Sequence, residues 1–496
     1  MLPRLSDTKH YKWLVFFSVA IGSVTNVTHH GSVGIALPTI AEDFQVSLNT
    51  IQWVVLAETL TISIFLLPMG RLSDIIGRKP MYLCGLVLFG FMSLFAGSIP
   101  SLVSQFTQQR AMLFMIPIRV LQGLGASMTQ ATGMAMVASI FKDSERGKGL
   151  GAHGAVIGTG GVIGPILGGV LVTLAGWKWV FWINVPLCAL AFITTFLVLD
   201  SSLFKGTGSR NNNYDWIGAL LSSALLLTFL LTLSNGSHFG WASPKIISGF
   251  FLFICLVFSF IWWESKTGSP LLELSLFKHK LFSWSITANY LSFLGVSSFR
   301  FIIPFYLQSA LKLNPAQVGM MLVPNAISRI IFGPTIGILS DKYDRRIFTF
   351  VGLVIASTGL LMMGLMSAVS SIIFIVVCIV IFSTGCGIFL SPNSAAIFSS
   401  GPSDKHGVIA ALVNLSRNSG NATGIALSSA IISAVLISNN HQVSVETILN
   451  AATSSDLVTS FITGMKFVFM FMGVLQIISA LGIVSTKVDN KNLFNY

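Results

Sequence analysis

Charged residues are scarce in this sequence, since Asp, Glu, Lys and Arg together make up only 9% of its 496 residues. Soluble globular domains carry about 25% charged residues. The deficit excludes a chain that exposes most of its surface to water. Hydrophobic residues reach 53% and form runs of about twenty residues separated by short polar loops. This pattern predicts an all-α polytopic membrane protein.

Motifs of enzymatic, metal and cofactor chemistry are also lacking. No glycine loop followed by lysine offers a phosphate site, and no H-E-x-x-H or cysteine pair has the spacing of zinc ligands. No nucleophile elbow lies in a folded domain outside the membrane. We therefore expect no enzymatic activity, no cofactor and no metal. The five cysteines, interpreted as small core residues without disulfides, are Cys84, Cys188, Cys255, Cys378 and Cys386.

Fourteen apolar segments are long enough to cross a bilayer core of about 30 Å as helices. They cover residues 13–38, 50–69, 80–98, 111–138, 148–172, 178–199, 215–234, 245–263, 281–308, 316–339, 347–368, 371–397, 407–438 and 464–485. The bilayer is thus the first partner that the sequence predicts.

Basic residues are concentrated in the loops on one side of these segments. If the N-terminus is inside, the inner loops hold most of the Lys and Arg residues, including Lys142, Arg146 and Lys148. The positive-inside rule then predicts an integral protein of the plasma (cytoplasmic or inner) membrane with both termini cytoplasmic. The same asymmetry accounts for the net charge of +12, so nucleic acid is not an expected partner.

One loop sequence occurs twice. GRLSDIIGRK at 70–79 is echoed by GILSDKYDRR at 337–346, an offset of 267 residues, in the loop after the second helix of each half. Repeated halves are the plan of secondary transporters. We predict an N-terminal six-helix half at 1–200, a linker with two extra helices at 201–270 and a C-terminal six-helix half at 271–496.

These loops carry a family resemblance. The first loop matches the signature of the major facilitator superfamily, and the chain resembles its 14-helix drug:proton antiporter family, the multidrug-resistance exporter type. An acid beside basic residues at a helix end can form a latch that breaks when the halves rock, although a topology signal alone is the alternative. The predicted latch residues are Gly70, Arg71, Asp74, Gly77, Arg78, Lys79, Asp341, Arg345 and Arg346.

The fourth segment contains RVLQG at 119–123, which resembles a second motif of that family. An arginine inside a membrane segment is costly and nearly always faces the bundle interior or a cavity. The resemblance implies a role of Arg119 in proton coupling. The alternative is a structural arginine that donates hydrogen bonds to carbonyl oxygens.

The fifth segment matches the family's antiporter motif, G-x8-G-x3-G-P-x2-G-G, at every position. Glycines let helices approach closely and proline permits a bend, so we expect a hinge-like contact between the halves. In the resembled family this motif accompanies export rather than import. The matching residues are Gly151, Gly160, Gly164, Pro165, Gly168 and Gly169.

Few titratable side chains lie well inside a segment, and Glu58 is the only carboxylate among them. At 1.5 Å per residue, His29 lies ~13 Å and Glu58 ~12 Å below the outer surface, and Arg119 lies at a similar depth. We hypothesise that Glu58 with His29 or His30 is the proton-coupling site, stabilised by Arg119. The alternative is that the histidines only form hydrogen bonds between helices.

The sequence departs from cation exporters of the resembled family, which have an aspartate on the first helix about where His29 stands. One acid against histidine and several arginines favours neutral or weakly acidic amphiphiles as substrates, with Arg300 and Arg329 as candidate contacts. The predicted substrate-cavity residues are Asn26, Trp53, Gln122, Asn289, Arg300, Gln308, Asn325, Arg329 and Arg417.

Together these features predict a proton-coupled exporter of small amphiphilic molecules that works by alternating access and uses the proton gradient in place of a cofactor. Its partners would be a small-molecule substrate and protons, and the resemblance implies a monomer. A proton-coupled importer or an organic-anion or metabolite carrier is the main alternative. A non-transporting membrane sensor is a further one.

Overall fold

The computed structural model describes residues 10–46, 48–102, 108–205, 214–313, 315–439 and 455–486. Nearly all of them are helical, and the pairing of Gly77 with Lys205 is an isolated bridge. Helices are expected because a backbone in lipid must satisfy its own hydrogen bonds. The long helices are α1 Tyr11–Phe44, α2 Trp53–Ile76, α3 Arg78–Leu102, α4 Gln108–Ile140, α5 Arg146–Ala175, α6 in two pieces Lys178–Trp182 and Asn184–Val198, α7 Trp216–Phe239, α8 Pro244–Lys266, α9 Lys280–Ser309, α10 Pro315–Ser340, α11 Arg345–Met363, α12 Ile372–Ser399, α13 His406–Ser438 and α14 Ser455–Val484.

Each of the fourteen predicted segments corresponds to one of these helices, which confirms the polytopic helical fold. Thirteen of the helices found in the described residues are long and apolar enough to cross a membrane. The exception is α1, since its middle contains Asn26, Thr28, His29 and His30. Many large apolar side chains are exposed, such as Leu174 at 80%, as expected where lipid covers the protein.

Two predicted segments differ in detail from their helices. The first continues past Pro38 to Phe44, so the proline does not end this helix. The sixth is divided at Ile183, which lies between Trp182 and Asn184. The second piece of α6 therefore begins with a polar side chain inside the protein.

Packing divides the chain into two compact units. Unit 1 comprises residues 1–232, 247–274 and 401–415, and unit 2 comprises residues 233–246, 275–400 and 416–496. The start of α13 thus packs in unit 1 and the rest of it in unit 2. The boundaries at 200 and 270 that the sequence analysis expects stay a prediction.

Glycines bring α3 and α4 close together in unit 1, and α11 and α12 in unit 2. A Cβ atom on Gly85 would lie 2.8 Å from the Gly125 carbonyl oxygen. A Cβ atom on Gly352 would lie 2.6 Å from the Phe389 backbone nitrogen. Gly85 and Gly352 are separated by the same 267 residues as the loop motifs, so the internal repeat extends from the loops into the helix packing.

Candidate functional site

Three helices of unit 1 bring His29 of α1, Glu58 of α2 and Arg119 of α4 together, and each side chain is at most 1% exposed. The approach of α2 to α4 depends on Gly123, where a Cβ atom would lie 2.7 Å from the Glu58 carbonyl oxygen. The common depth estimated from the sequence thus corresponds to direct contact. We call His29, His30, Glu58, Arg119 and Gln122 the coupling cluster.

Arg119 is the centre of the coupling cluster. Its Nη2 atom pairs with Glu58 Oε2, and its Nε atom donates to the Val54 carbonyl at 2.6 Å. Its Nη1 atom lies 2.7 Å from His29 Nε2 and donates to Gln122 Oε1 at 2.5 Å. Glu58 balances the guanidinium charge and the other acceptors replace its hydration, as a buried arginine requires.

The contact with Arg119 determines the protonation of His29. A guanidinium has only N–H donors, and a neutral imidazole has one donor nitrogen and one acceptor nitrogen. Because Nε2 faces Arg119, it accepts. Asn184 Nδ2 lies 2.9 Å from Nδ1, and the imidazole also makes a hydrogen bond with the Val180 carbonyl. His29 is therefore neutral in this arrangement.

His30 has a different environment from its neighbour. Its Nε2 atom lies 3.8 Å from Glu58 Oε1, and its side chain is 30% exposed. Glu58 Oε1 is buried and has no hydrogen-bond partner among the described residues. The carboxylate therefore has one oxygen paired with Arg119 and one oxygen directed towards the accessible imidazole.

Residues that the sequence analysis missed complete the surroundings of the coupling cluster. Asn184 of α6 lies beside His29, and Ser93 of α3 accepts a hydrogen bond from Gln122 at 2.6 Å. The rings of Phe89 and Phe181 pack edge-on against His29 at 5.3 and 5.5 Å between centroids. The only sequence signal was a polar residue, Asn184, within an apolar segment. Among the described residues no group of His, Cys, Asp or Glu is placed to hold a metal ion.

The glycines of the antiporter motif pack against α1 beside the coupling cluster. A Cβ atom on Gly164 would lie 2.7 Å from the Thr28 carbonyl oxygen, and one on Gly168 would lie 2.6 Å from Ser32 Cα. Ser32 Oγ donates to the Gly164 carbonyl at 2.7 Å. This contact lies within unit 1, whereas the sequence analysis expects one between the halves. Glycine is needed at positions 164 and 168 because a Cβ atom there would overlap the α1 backbone.

Other positions of the motif have different surroundings. Pro165 lies next to Gly31, and Gly160 lies beside Val27. Gly151 is buried, and a Cβ atom on Gly169 would meet no described atom within 4 Å. Close helix contact therefore accounts for part of the motif only.

The first loop motif surrounds the start of α13. Asp74 accepts hydrogen bonds from the backbone nitrogens of Gly407 at 2.9 Å and Val408 at 3.0 Å. Arg78 donates to Asp74 Oδ1 at 3.1 Å and to the Ser403 carbonyl at 2.9 Å. A carboxylate at a helix N-terminus is favoured by the exposed N–H groups and the helix dipole. The acid thus pairs with a neighbouring base and a helix end, the arrangement that a latch requires.

The other residues of this motif support the same contact. A Cβ atom on Gly70 would lie 2.7 Å from the Gly407 carbonyl oxygen. Gly77 has a φ of 114°, which favours glycine. Lys79 donates to the Phe196 carbonyl at 3.1 Å, and Arg71 interacts electrostatically with Glu264.

The second loop motif, in unit 2, is more exposed. Arg345 lies 3.5 Å from Asp341, while Arg346 pairs with Asp344 at 2.6 Å and donates to the Thr486 carbonyl at 2.6 Å. Arg346 holds the pKa of the Asp344 carboxyl below its ordinary value through a side-chain hydrogen bond. The repeated motif therefore makes local ion pairs here.

The predicted substrate-cavity residues of unit 1 fall into two groups. Asn26 is buried and donates to Thr129 Oγ1 at 2.8 Å, and Gln122 belongs to the coupling cluster. Trp53 is 39% exposed. Asn26 therefore joins α1 to α4, and its role in substrate binding stays a prediction.

Unit 2 holds the remaining predicted substrate-cavity residues. Asn289 is buried and donates to Ser416 Oγ at 2.5 Å, while Gln308 and Asn325 are half-buried. The three arginines among these predicted residues, which we call the arginine cluster, are Arg300 on α9, Arg329 on α10 and Arg417 on α13. Arg329 is close enough to interact electrostatically with both of the others.

Known proteins with similar sequences and folds are transporters. Residues 14–425 match the sequence profile of the Major Facilitator Superfamily. The riboflavin transporter RibZ of Clostridioides difficile is 28% identical over 86% of this chain and 90% of its own length. The multidrug efflux pump LfrA of Mycolicibacterium smegmatis is 27% identical over 88% and 84%. The proton:xylose symporter XylE has the same fold, with a TM-score of 0.65 at 12% identity over 95% of this chain and 94% of its own. The protein therefore belongs to the Major Facilitator Superfamily and is a membrane transporter, not an enzyme.

Proposed function

We propose that this transporter exports small amphiphilic molecules in exchange for protons. Two features support export. The antiporter motif is complete in the sequence, and its Gly164 and Gly168 pack α5 against α1 next to the coupling cluster. LfrA is named as an efflux pump. We further propose that the protein acts as a monomer in the plasma membrane with both termini cytoplasmic, as the basic inner loops suggest.

The proposed coupling rests on one observation, that the two carboxylate oxygens of Glu58 have different environments. Oε2 pairs with Arg119, while Oε1 is buried without a hydrogen-bond partner among the described residues and lies 3.8 Å from the accessible His30. A proton bound by His30 Nε2 passes to Glu58 Oε1 after a small approach of the two side chains. Neutral Glu58 no longer balances the charge of Arg119, so one proton changes the electrostatics of the whole coupling cluster.

Coupling to transport follows from this change of charge by linkage. Protonated and deprotonated clusters stabilise different conformations, and a substrate that favours one of them exchanges with the proton. We propose that the contact of Asp74 with the start of α13 is the latch that opens and closes in this alternating-access cycle. Its hydrogen bonds from Gly407 and Val408 can re-form after each opening.

Proton release in inside-out membrane vesicles tests this proposal. Vesicles acidified inside by respiration would receive cationic, neutral and anionic amphiphiles in turn, and a pH-sensitive dye would report proton outflow. The wild-type protein should release protons with its substrates and lose substrate uptake with an uncoupler. Glu58→Gln should release none, whereas Glu58→Asp, the matched control, keeps a titratable group. Proton outflow from Glu58→Gln vesicles at the wild-type rate would contradict the coupling site.

A second candidate function is uptake or release of one particular metabolite. The similarity to RibZ, named as a riboflavin transporter, favours it. Riboflavin in the same compound panel, measured in right-side-out and inside-out vesicles, separates the two functions. Export of several unrelated amphiphiles supports the efflux proposal, and flux of a single compound supports the metabolite carrier.

A further inference from the structure

The arginine cluster places three cationic side chains in one region of unit 2. Arg300, Arg329 and Arg417 come from three different helices, and Arg329 interacts with both of the others. Like charges repel, and the repulsion is stronger in a low-dielectric interior than in water. The chain therefore holds three positive charges together at an energetic cost.

Nothing in the sequence of the surrounding helices compensates for these charges. Helices α9, α10, α11, α12 and α13 contain no Asp or Glu at all. Within the described residues, the buried Nε atoms of Arg329 and Arg417 have no hydrogen-bond partner. Charges in a protein interior are normally paired, and these five helices offer no acidic side chain to pair with the three arginines.

The cluster retains some neutral contacts that orient its side chains. Arg417 Nη2 donates to Ser394 Oγ at 3.2 Å, and its guanidinium carbon lies 5.3 Å from the centroid of the Phe293 ring. Arg329 makes a side-chain hydrogen bond with Cys386. Each guanidinium has five N–H donors, so most donors remain for a ligand. Arg300 is exposed and the other two are half-buried, which leaves the cluster accessible.

We propose that the arginine cluster binds the acidic group of the transported molecule and that the substrates are organic anions with an apolar, aromatic body. Guanidinium forks match the oxygens of carboxylate, sulfonate and phosphate groups. Phe293 beside Arg417 offers an apolar surface to the body of the same molecule. This inference rests on the proposed export function and specifies its substrate class.

Two fluorescent probes of nearly the same shape test the charge requirement. The anion 8-anilinonaphthalene-1-sulfonate and the neutral N-phenyl-1-naphthylamine share an aromatic body and differ in the sulfonate. Binding of each would be measured to the full chain in nanodiscs of neutral lipid, with empty nanodiscs subtracted. Arg329→Gln should weaken binding of the anion at least ~10-fold, because hydrogen bonds to a charged group are lost. Binding of the neutral probe should change less than about twofold.

Further variants keep the test falsifiable. Arg329→Lys retains the charge without the fork and should weaken binding of the anion less than Arg329→Gln does. Arg300→Gln replaces an exposed side chain. If Arg329→Gln does not fold, Arg300→Gln takes its place and should likewise weaken binding of the anionic probe more than binding of the neutral one. Lys278→Gln, which removes an exposed charge of the same unit, should have no effect. Equal losses of both probes, or no loss of either, would overturn the proposal.

Two arms identify the source of the anion and separate this inference from the coupling mechanism. Nanodiscs with phosphatidylglycerol should still bind the sulfonate probe, and loss of binding there would make a lipid head group the occupant and overturn the proposal. If the sulfonate probe binds in an arginine-dependent way but vesicles show no proton-driven flux of it, the coupling mechanism is refuted and the anion site is supported. If proton-driven flux occurs and Arg329→Gln binds and transports both probes like the wild type, the anion site is refuted and the coupling mechanism is supported.

Discussion

In unit 1 the buried guanidinium of Arg119 faces the carboxylate of Glu58, whereas in unit 2 Arg329 faces two more arginines. The offset of 267 residues that relates the loop motifs also relates these positions. At this offset, Glu58 corresponds to Asn325 and Arg119 corresponds to Cys386. The acid and the base of one unit thus correspond to neutral residues in the other, and three arginines stand elsewhere on its helices.

Under the two proposals, the two clusters divide the tasks of a transporter between the two units. A balanced pair with one unsatisfied carboxylate oxygen responds to a proton, because protonation unbalances it. An unbalanced group of cations responds to an anion, because binding balances it. The two clusters therefore predict opposite effects when charges are removed or added.

The largest expected effect is that of breaking the Glu58–Arg119 pair. Arg119→Gln alone leaves a buried carboxylate, and Glu58→Gln alone leaves a buried guanidinium. Each should destabilise the protein by about 3–5 kcal/mol, and the double variant should recover part of that loss. Thermal unfolding of the purified variants in detergent measures both effects. A double variant as unstable as the sum of the singles would show that the pair is not coupled.

Glycines on the fifth helix of each unit should give the next largest effect. Gly168→Ala places a Cβ atom 2.6 Å from Ser32 Cα in unit 1. In unit 2, the Cβ atom that Gly424→Ala adds would overlap the Leu294 carbonyl oxygen. Overpacking of this kind costs typically ~1–3 kcal/mol. Gly169→Ala is the matched control, since its Cβ atom meets no described atom within 4 Å. Thermal unfolding should separate the first two from the control, and equal midpoints for all three would contradict the contacts.

Adding an acid to unit 2 should make it resemble unit 1. Asn325 lies one helical turn before Arg329, so Asn325→Glu places a carboxylate on the same helix face. The new charge should compete with external anions and weaken binding of 8-anilinonaphthalene-1-sulfonate by ~10-fold, about 1.4 kcal/mol. Asn325→Gln is the neutral control of similar size and should weaken binding of the anion much less than Asn325→Glu does. Stronger binding of the anionic probe by Asn325→Glu would contradict the inference.

Substitution of the two adjacent histidines should have different effects, with His29 affecting stability and His30 affecting proton release. His29 accepts from Arg119 and is buried, so His29→Gln should lower the midpoint of thermal unfolding. His30 is 30% exposed and lies 3.8 Å from Glu58, so His30→Gln should leave that midpoint within ~2 °C and slow proton release about 10-fold or more. Thermal unfolding and the vesicle dye assay distinguish the two. A His30→Gln protein with unaltered proton release would remove His30 from the proton path.

Much of the coupling cluster could be predicted from the sequence because charges inside apolar segments are rare. Depth along α1, α2 and α4 was enough to group His29, Glu58 and Arg119. The different environments of His29 and His30 could not be predicted, because adjacent helical residues point about 100° apart and only packing shows which one is buried. Asn184 and Ser93 were missed for a related reason, since neutral polar residues are common in membrane helices and α6 reaches the cluster through tertiary packing.

Neutralising Asp74 of the first loop motif and Asp344 of the second should give the smallest difference in stability between the two units. Asp74 accepts from two backbone nitrogens of α13, whereas Asp344 pairs with Arg346 and its side chain is 40% exposed. The depressed pKa of Asp344 means that its contribution is present above the ordinary aspartate pKa of about 3.9 and is lost as the pH falls through the folded value. At neutral pH, Asp344→Asn should therefore cost less than about 1 kcal/mol, and this cost should vanish in strong acid. Asp74→Asn should cost more at neutral pH, because charge-assisted bonds to the start of α13 are weakened. Thermal unfolding at neutral and acidic pH compares the two, and an equal loss would mean that the helix terminus adds nothing to the first motif.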